Sequence, residues 1–434
     1  MPPQDEHGED RARSAARAHH PHRREGAVMD EAQSIGQRMR DARLRLGLTQ
    51  ADVAAALGRT QGWVSKAEKG RIELDRTSVI NSVAGALHIH PNELIDRPYN
   101  RAAAANQWQI SAAAIIRELR RYDLAPVFDG TPRSAEQLWA DTTKLYTLRD
   151  NAQNTSILAT LPDLLREART LAELSTGRER EQAYGIYAIA CKFGHTSAHA
   201  LGHPELVAMT CERAAWAAQR SGDELMPAIA HWMRVWDMWA TADWDDAVSL
   251  SDKALRDVEP LYRGGDPLAV RVWGTLHLRA AVSAARGGRE NEARHRIGQA
   301  REAAERAARN PPQFDRHSLT FSAGNVALHA VSVELEMSNQ DEALRLDRQM
   351  NPAVLTALPK SRRGYYALDL ARAHLWSGQR DRALSLLEQA EATAPQLIRN
   401  HPIARATLRR IRSAERAGVS ERLRRMSSRF HLDD

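Results

Sequence analysis

Repeated pairs of helical segments are the feature that most constrains the fold of this chain. The first segments of successive pairs begin roughly 40 to 50 residues apart, near Ser134, Glu179, Leu225, Pro267, Ser318 and Ser361. Short turns separate the two segments of a pair, with sequences GHPEL, ADWDDA, GGRENEA, SNQDEA and SGQRDRA. Four of the turns lead into the second helix with an alanine, namely Ala247, Ala293, Ala343 and Ala383. Because each pair can bury its apolar face only against its neighbours, residues 134–434 are predicted to form an α-solenoid.

Composition agrees with an all-α chain. Ala, Leu, Arg and Glu, which favour helices, dominate the sequence. No run of 18 apolar residues suggests a membrane span, and only Cys191 and Cys211 are present, so no disulfide framework is implied. We therefore expect a cytoplasmic protein without membrane contact. The sequence contains no phosphate-binding P-loop, no dinucleotide fingerprint and no HExxH, and we predict neither an enzyme nor a cofactor.

The net charge of +6 resides in the C-terminal tail. Residues 396–434 carry ten arginines and four acidic residues, an excess equal to that of the whole chain. This tail is interpreted as two helices that cap the solenoid with a solvated arginine face. The alternative is a second electrostatic contact with DNA phosphates, which would make DNA binding strongly dependent on salt.

Three segments precede the repeats. Residues 1–29 have few large apolar residues and are predicted to be a disordered tail, with Met29 a possible alternative translation start. Residues 30–97 contain five short helical segments. Residues 98–133 are predicted to form a linker and a connecting helix, with Pro98 interrupting any continuous helix.

The stretch LGLTQADVAAALGRTQGWVSKAEKG, residues 46–70, has the pattern of two short helices joined by a tight turn. Thr49 and Asp52 predict a capping-box-like start for the first helix, and Thr60 is predicted to cap the second. The second helix of such a pair enters the DNA major groove by its N-terminal end. Expected base contacts are Gln61, Gly62, Trp63, Ser65 and Lys66, and expected phosphate contacts are Gln50, Lys69 and Arg71.

The combination of Thr-Gln, Ala54, Gly58, Val-Ser-Lys and Glu-Lys-Gly resembles the lambda-repressor-like, or XRE, family over residues 35–96. The resemblance implies a five-helix domain that binds operator sequences in double-stranded DNA, usually as a homodimer. It also implies an internal ion pair between Arg43 and Glu68.

The helix pairs resemble tetratricopeptide repeats in architecture, although they are longer than the standard unit. A DNA-reading head before such a solenoid resembles the Gram-positive quorum-sensing regulators and actinobacterial head-plus-repeat regulators. That resemblance implies a concave groove for a peptide, a small molecule or a protein partner. Groove candidates on the first helices are Asn151, His195, His199, Arg234, Arg279, Asn325 and His329. The stripe of Trp232, Trp236 and Trp239 is interpreted mainly as core between repeats.

Cys191, His195, His199 and His203 fall four residues apart along one helix. Four side chains spaced along a single helix are too far apart to surround one ion, so we predict no metal site. The favoured function is a sequence-specific, DNA-binding transcriptional regulator whose repeats sense an effector and mediate oligomerisation. The alternative is an interaction scaffold whose head mediates dimerisation or partner binding without reading DNA.

Overall fold

A computed structural model describes residues 35–72, 74, 76–89, 91–94, 106–413, 420–430 and 432. Across these ranges every regular element is a helix. The all-α prediction is therefore confirmed. The predicted disordered tail, the possible start at Met29 and the interruption at Pro98 lie outside the described residues.

Five short helices form an N-terminal head: α1 Ile35–Arg45, α2 Gln50–Ala56, α3 Gln61–Glu68, α4 Thr77–Ala86 and α5 Pro91–Leu94. Thr49 and Asp52 exchange capping-box hydrogen bonds at the start of α2, and Thr60 Oγ1 accepts from the Trp63 amide at the start of α3. Gly58, in the turn between α2 and α3, has a φ of 60°, which glycine adopts without steric cost. Local sequence thus determines where these two helices begin and how the chain turns between them.

The head has its own hydrophobic core, to which Met39, Val53, Val64 and Ile80 each contribute a fully or almost fully buried side chain. Helix α1 crosses α3 in very close contact at Gly36. A Cβ atom at this glycine would lie 2.0 Å from the backbone oxygen of Ala67, so no larger residue fits without moving a helix.

Six helix pairs follow: α7 Ala135–Asp150 with α8 Asn154–Leu174, α9 Gly177–Leu201 with α10 Pro204–Ala218, α11 Met226–Met238 with α12 Trp244–Arg263, α13 Pro267–Arg286 with α14 Glu290–Arg309, α15 Ala323–Glu336 with α16 Gln340–Gln349, and α18 Lys360–Trp376 with α19 Arg380–Thr393. The first helices begin within two residues of the predicted positions, except that α15 begins five residues after Ser318. The short helix α17 Pro352–Thr356 lies between the last two pairs.

The turns within the pairs share one backbone geometry. A residue with positive φ stands two positions before the second helix, as at Ala242 (φ 65°), Gly288 (φ 76°) and Ser338 (φ 70°). Alanine and serine are less favourable than glycine in this left-handed conformation, so at Ala242 and Ser338 the packing of the pair imposes a backbone that sequence alone does not predict. The four alanines expected to allow close helix approach lie in the second helices and are completely buried: Ala247, Ala293, Ala343 and Ala383.

The helix predicted to connect head and repeats is packed into the repeats. Helix α6 Asn106–Arg120 buries Ala112, Ile115 and Leu119 in the same core as the first two pairs. At the other end, α20 Pro395–Asn400, α21 Pro402–Ser413 and α22 Glu421–Arg429 cover the last pair. Repeat packing therefore begins before residue 134.

The head rests against the repeats through α4. The Asn81 side chain is buried and donates a hydrogen bond to the Trp239 carbonyl. A Cβ atom on Gly85 would lie 3.1 Å from the Thr241 oxygen, so this glycine permits the close approach. Ile403 of α21 packs into the core of the head.

None of the helices in the described ranges combines the length and apolar composition that a membrane crossing requires.

Candidate functional site

The expected base-reading residues lie within the first six residues of α3. Gln61, Gly62 and Lys66 are exposed, whereas Trp63 and Ser65 are half-buried. A Cβ atom at Gly62 would meet nothing closer than Thr60 Oγ1 at 3.9 Å, so space lies open beside this glycine. This arrangement leaves hydrogen-bonding groups at the helix end that enters the major groove in helix-turn-helix proteins.

The expected phosphate contacts have different environments. Lys69 and Arg71 are exposed just after α3. Gln50 is half-buried, and its Nε2 donates to Glu68 Oε2 over 2.8 Å. One N–H of the Gln50 side-chain amide is therefore already used inside the head, and only its other N–H could donate to a phosphate.

The pair implied by the family resemblance lies inside the head. Arg43 Nε is 2.6 Å from Glu68 Oε1, and Arg43 Nη1 also donates to the Leu48 carbonyl. Burial by itself would raise the pKa of Glu68, but the hydrogen bonds from Arg43 and Gln50 outweigh burial and lower it. The pair therefore links α1 to α3, the helix that carries the expected base contacts.

A large cavity lies within the repeats and extends to the head. Its volume is about 590 Å³, within the range of small-molecule sites. Repeat helices supply most of its lining, and Asn81 and Pro91 of the head complete one side. A ligand in the cavity would therefore touch, or lie close to, the element that positions the head.

Four of the seven groove candidates line this cavity: His199, Arg279, Asn325 and His329. His195 is fully buried beside His199, with ring centroids 4.7 Å apart, but does not belong to the lining. Asn151, which follows the last residue of α7, and Arg234 of α11 are exposed and do not line the cavity. Helical spacing alone did not distinguish the candidates that line the cavity from those that do not.

The tryptophan stripe holds a buried arginine. The Arg279 guanidinium lies 4.1 Å from the ring centroid of Trp232, 4.4 Å from that of Trp236 and 4.9 Å from that of Trp239. Such cation–π contacts favour a charged guanidinium out of water. Trp232 and Trp239 are indeed mostly buried, but all three indoles also line the cavity, so the stripe serves both core and cavity.

Sequence reasoning did not predict five further cations of the cavity lining: Arg149, Lys192, Arg286, Arg362 and Arg372. Lys192 Nζ donates to the carbonyls of His317 and Ser318 over 2.7 and 2.6 Å. Burial, with repulsion from neighbouring arginines, lowers the pKa of Lys192 to about 7. A lysine within the apolar stretch YGIYAIACKFG was the available signal.

Several histidines are buried in the repeats without charge. Burial, more than any nearby charge, lowers the pKa of each of four of them to about 3: His195, His277, His329 and His401. Cys191 and Cys211 are buried free thiols. Among the residues that the structure describes, no cluster of three or more histidine, cysteine or acidic side chains could hold a metal ion.

Comparison with known proteins bears on the head. Residues 34–96 match the family model of a helix-turn-helix domain. The head is a helix-turn-helix domain. The helix-turn-helix domain predicted within residues 35–96 is confirmed. No curated protein matches the chain.

Two solved structures show a weak likeness to this chain. One is PlcR of Bacillus thuringiensis in complex with the peptide PapR7 and DNA, with 14% identity, a TM-score of 0.27, and coverage of 63% of this chain and 95% of PlcR. The other is a mutant of PrgX, with 12% identity, a TM-score of 0.20, and coverage of 84% and 95%. TM-scores this low do not establish a common fold across the chain.

The C-terminal cap of the repeats has paired arginines. Arg422 Nε lies 2.7 Å from Glu388 Oε1, and Arg429 Nη2 lies 2.7 Å from Glu391 Oε2. Arg424 and Arg425 both contact Glu421. A phosphate would have to compete with these carboxylates, so the structure favours the interpretation of this tail as a cap.

Proposed function

We propose that this protein is a sequence-specific transcriptional regulator that acts at the nucleoid as a homodimer. Its helix-turn-helix domain reads an operator through Gln61, Ser65 and Lys66, while Lys69 and Arg71 contact phosphates. The observation that carries the proposal is the exposure of the start of α3 while the domain is docked on the repeats through α4.

The proposed reading chemistry follows from these side chains. A glutamine amide can hydrogen-bond an adenine edge with two bonds, and a lysine can donate to guanine acceptors. Gly62 allows the backbone to approach the groove, because no side chain fills the space beside it. The two exposed cations after α3 add affinity that is independent of sequence.

The repeats are proposed to sense an effector in the cavity. Asn81 lines the cavity and also anchors α4 to the Trp239 carbonyl. A ligand that favours one position of this anchor over another would change the orientation of the domain, because ligands shift equilibria only by differential affinity. Effector binding and operator binding would then be coupled in both directions.

Selection of random duplex DNA on the full-length protein tests the reading function. Enrichment of a palindromic site supports a dimeric reader, and the double variant Gln61→Ala, Lys66→Ala should then lose about 10-fold or more in affinity. Lys144→Ala, an exposed lysine of the repeats, is the control and should bind as wild type. Equal affinity of wild type and double variant for the enriched site would refute the assignment, and absence of enrichment would favour the scaffold.

A further inference from the structure

Three cations of the cavity have no carboxylate partner. Lys192, Arg279 and Arg362 come from α9, α13 and α18, the first helices of three different pairs. Within the described ranges, none of them forms an ion pair with an aspartate or glutamate. By contrast, the cavity arginines Arg286 and Arg372 pair with Glu336 and Asp369, over 3.4 and 3.0 Å. The positive charge of the cavity is therefore unbalanced at one place.

All three cations line the same cavity, where their charges repel one another. Burial lowers the pKa of Arg279 and of Arg362, and the charge of Arg362 lowers that of Arg279 further. Arg279 is 9% exposed, and its Nε is buried without a hydrogen-bond partner among the described residues. Uncompensated buried charge costs several kcal/mol per ion and is rarely retained without a purpose.

Lys192 and Arg279 line the cavity and keep hydrogen-bonding capacity that no described residue uses. Lys192 uses two of its three N–H donors on backbone carbonyls, which leaves one for another acceptor. Arg279 is fixed by the three indoles, so its guanidinium is oriented before any ligand arrives. Guanidinium and ammonium groups bind carboxylate and phosphate oxygens through charge-assisted hydrogen bonds.

Apolar side chains adjoin this cluster of cations. The lining includes Phe193, Leu278 and Leu328. An inorganic anion would leave this surface in contact with water, whereas an anion with an apolar body would cover it and gain hydrophobic free energy.

We propose that the cavity binds a small organic anion, whose carboxylate or phosphate group is held by Lys192, Arg279 and Arg362 and whose apolar body packs against Phe193, Leu278 and Leu328. This inference rests on the proposed sensing role of the repeats and specifies the class of effector. The anion supplies the missing counter-charge, which explains why three cations are placed together in a partly apolar cavity.

Calorimetric titration of the full-length protein tests the inference with naphthoate, naphthyl phosphate and naphthamide, which share one apolar body. At least one anion should bind about 10-fold or more tightly than the neutral amide. The preference between naphthoate and naphthyl phosphate identifies the head group, and inorganic phosphate alone should bind more weakly than naphthyl phosphate. Equal binding of anion and amide, or no binding of either anion, would overturn the inference.

Variants locate the site. Arg279→Gln and Arg362→Gln should each weaken binding of the preferred anion about 10-fold, because each removes a charge-assisted hydrogen bond. Arg234→Gln changes an exposed arginine outside the cavity and should have no effect. Unchanged affinity in both cavity variants would contradict the assignment, and if one fails to fold, the comparison of anion with amide still decides. No DNA is present, so failure here is distinct from failure of operator binding.

Discussion

Replacing Glu68 by glutamine should destabilise the helix-turn-helix domain by about 3 kcal/mol, because it leaves the Arg43 charge buried without its counter-charge. The side chains of Arg43 and Glu68 are only 9% and 3% exposed, so water cannot take over the lost interaction. Glutamine can still accept one hydrogen bond, which places the cost near the lower end for a broken buried pair.

Hydrogen exchange of the amides in residues 35–72 of the full-length protein measures this loss locally. A loss of 3 kcal/mol corresponds to exchange faster by about two orders of magnitude. Glu93→Gln is the matched control, since Glu93 pairs with Arg45 in the same domain while the two side chains are 49% and 64% exposed. The control should cost less than about 1 kcal/mol.

The pH dependence provides an independent check. The pKa of Glu68 is lowered in the folded state, so its stabilising contribution is present above the unfolded value of about 4.3 and is lost as pH falls through the folded value. The difference between wild type and Glu68→Gln should shrink in acid. Equal exchange rates in Glu68→Gln and Glu93→Gln at neutral pH would refute the reasoning.

Three further predictions follow from burial and close contact. The four buried histidines have folded pKa values below the unfolded value of about 6.5. The free energy of unfolding should therefore fall as pH drops below 6.5, by up to about 5 kcal/mol per pH unit for the four together. A denaturant midpoint that is equal at pH 7 and pH 5 would contradict this. Gly62→Ala should leave thermal stability unchanged, because the added Cβ meets only open space in the free protein. It should weaken operator binding by about 10-fold, because the Cβ would occupy space that DNA approaches. Operator affinity equal to wild type would argue against close approach to DNA. Gly85→Val should clash with the Thr241 oxygen and speed hydrogen exchange in α4. Gly298→Val is the control and should leave exchange in α4 unchanged, because no atom lies within 4 Å of its Cβ. Slow exchange in both variants would argue against tight docking of α4 on the repeats.

Local signals in the sequence predicted the helices and their ends. The caps at Thr49 and Thr60 and the glycine turn at Gly58 depend on residues close along the chain, and each appears at its predicted place. The spacing of the repeats was equally predictable, because the pairs share one turn geometry and four of them share the buried alanine. Helical periodicity, however, could not distinguish Arg279 in the cavity from Arg234 on the surface.

The sequence by itself therefore determined the all-helical class, the helix-turn-helix head and the pairing of the repeat helices, since these follow from interactions over a few residues. Only the tertiary structure decided that Lys192, Arg279 and Arg362 share one cavity and that α4 of the head forms part of its wall. These residues are separated by more than one repeat, and the curvature of the stacked pairs, which is the sum of many side-chain contacts, determines which of them meet.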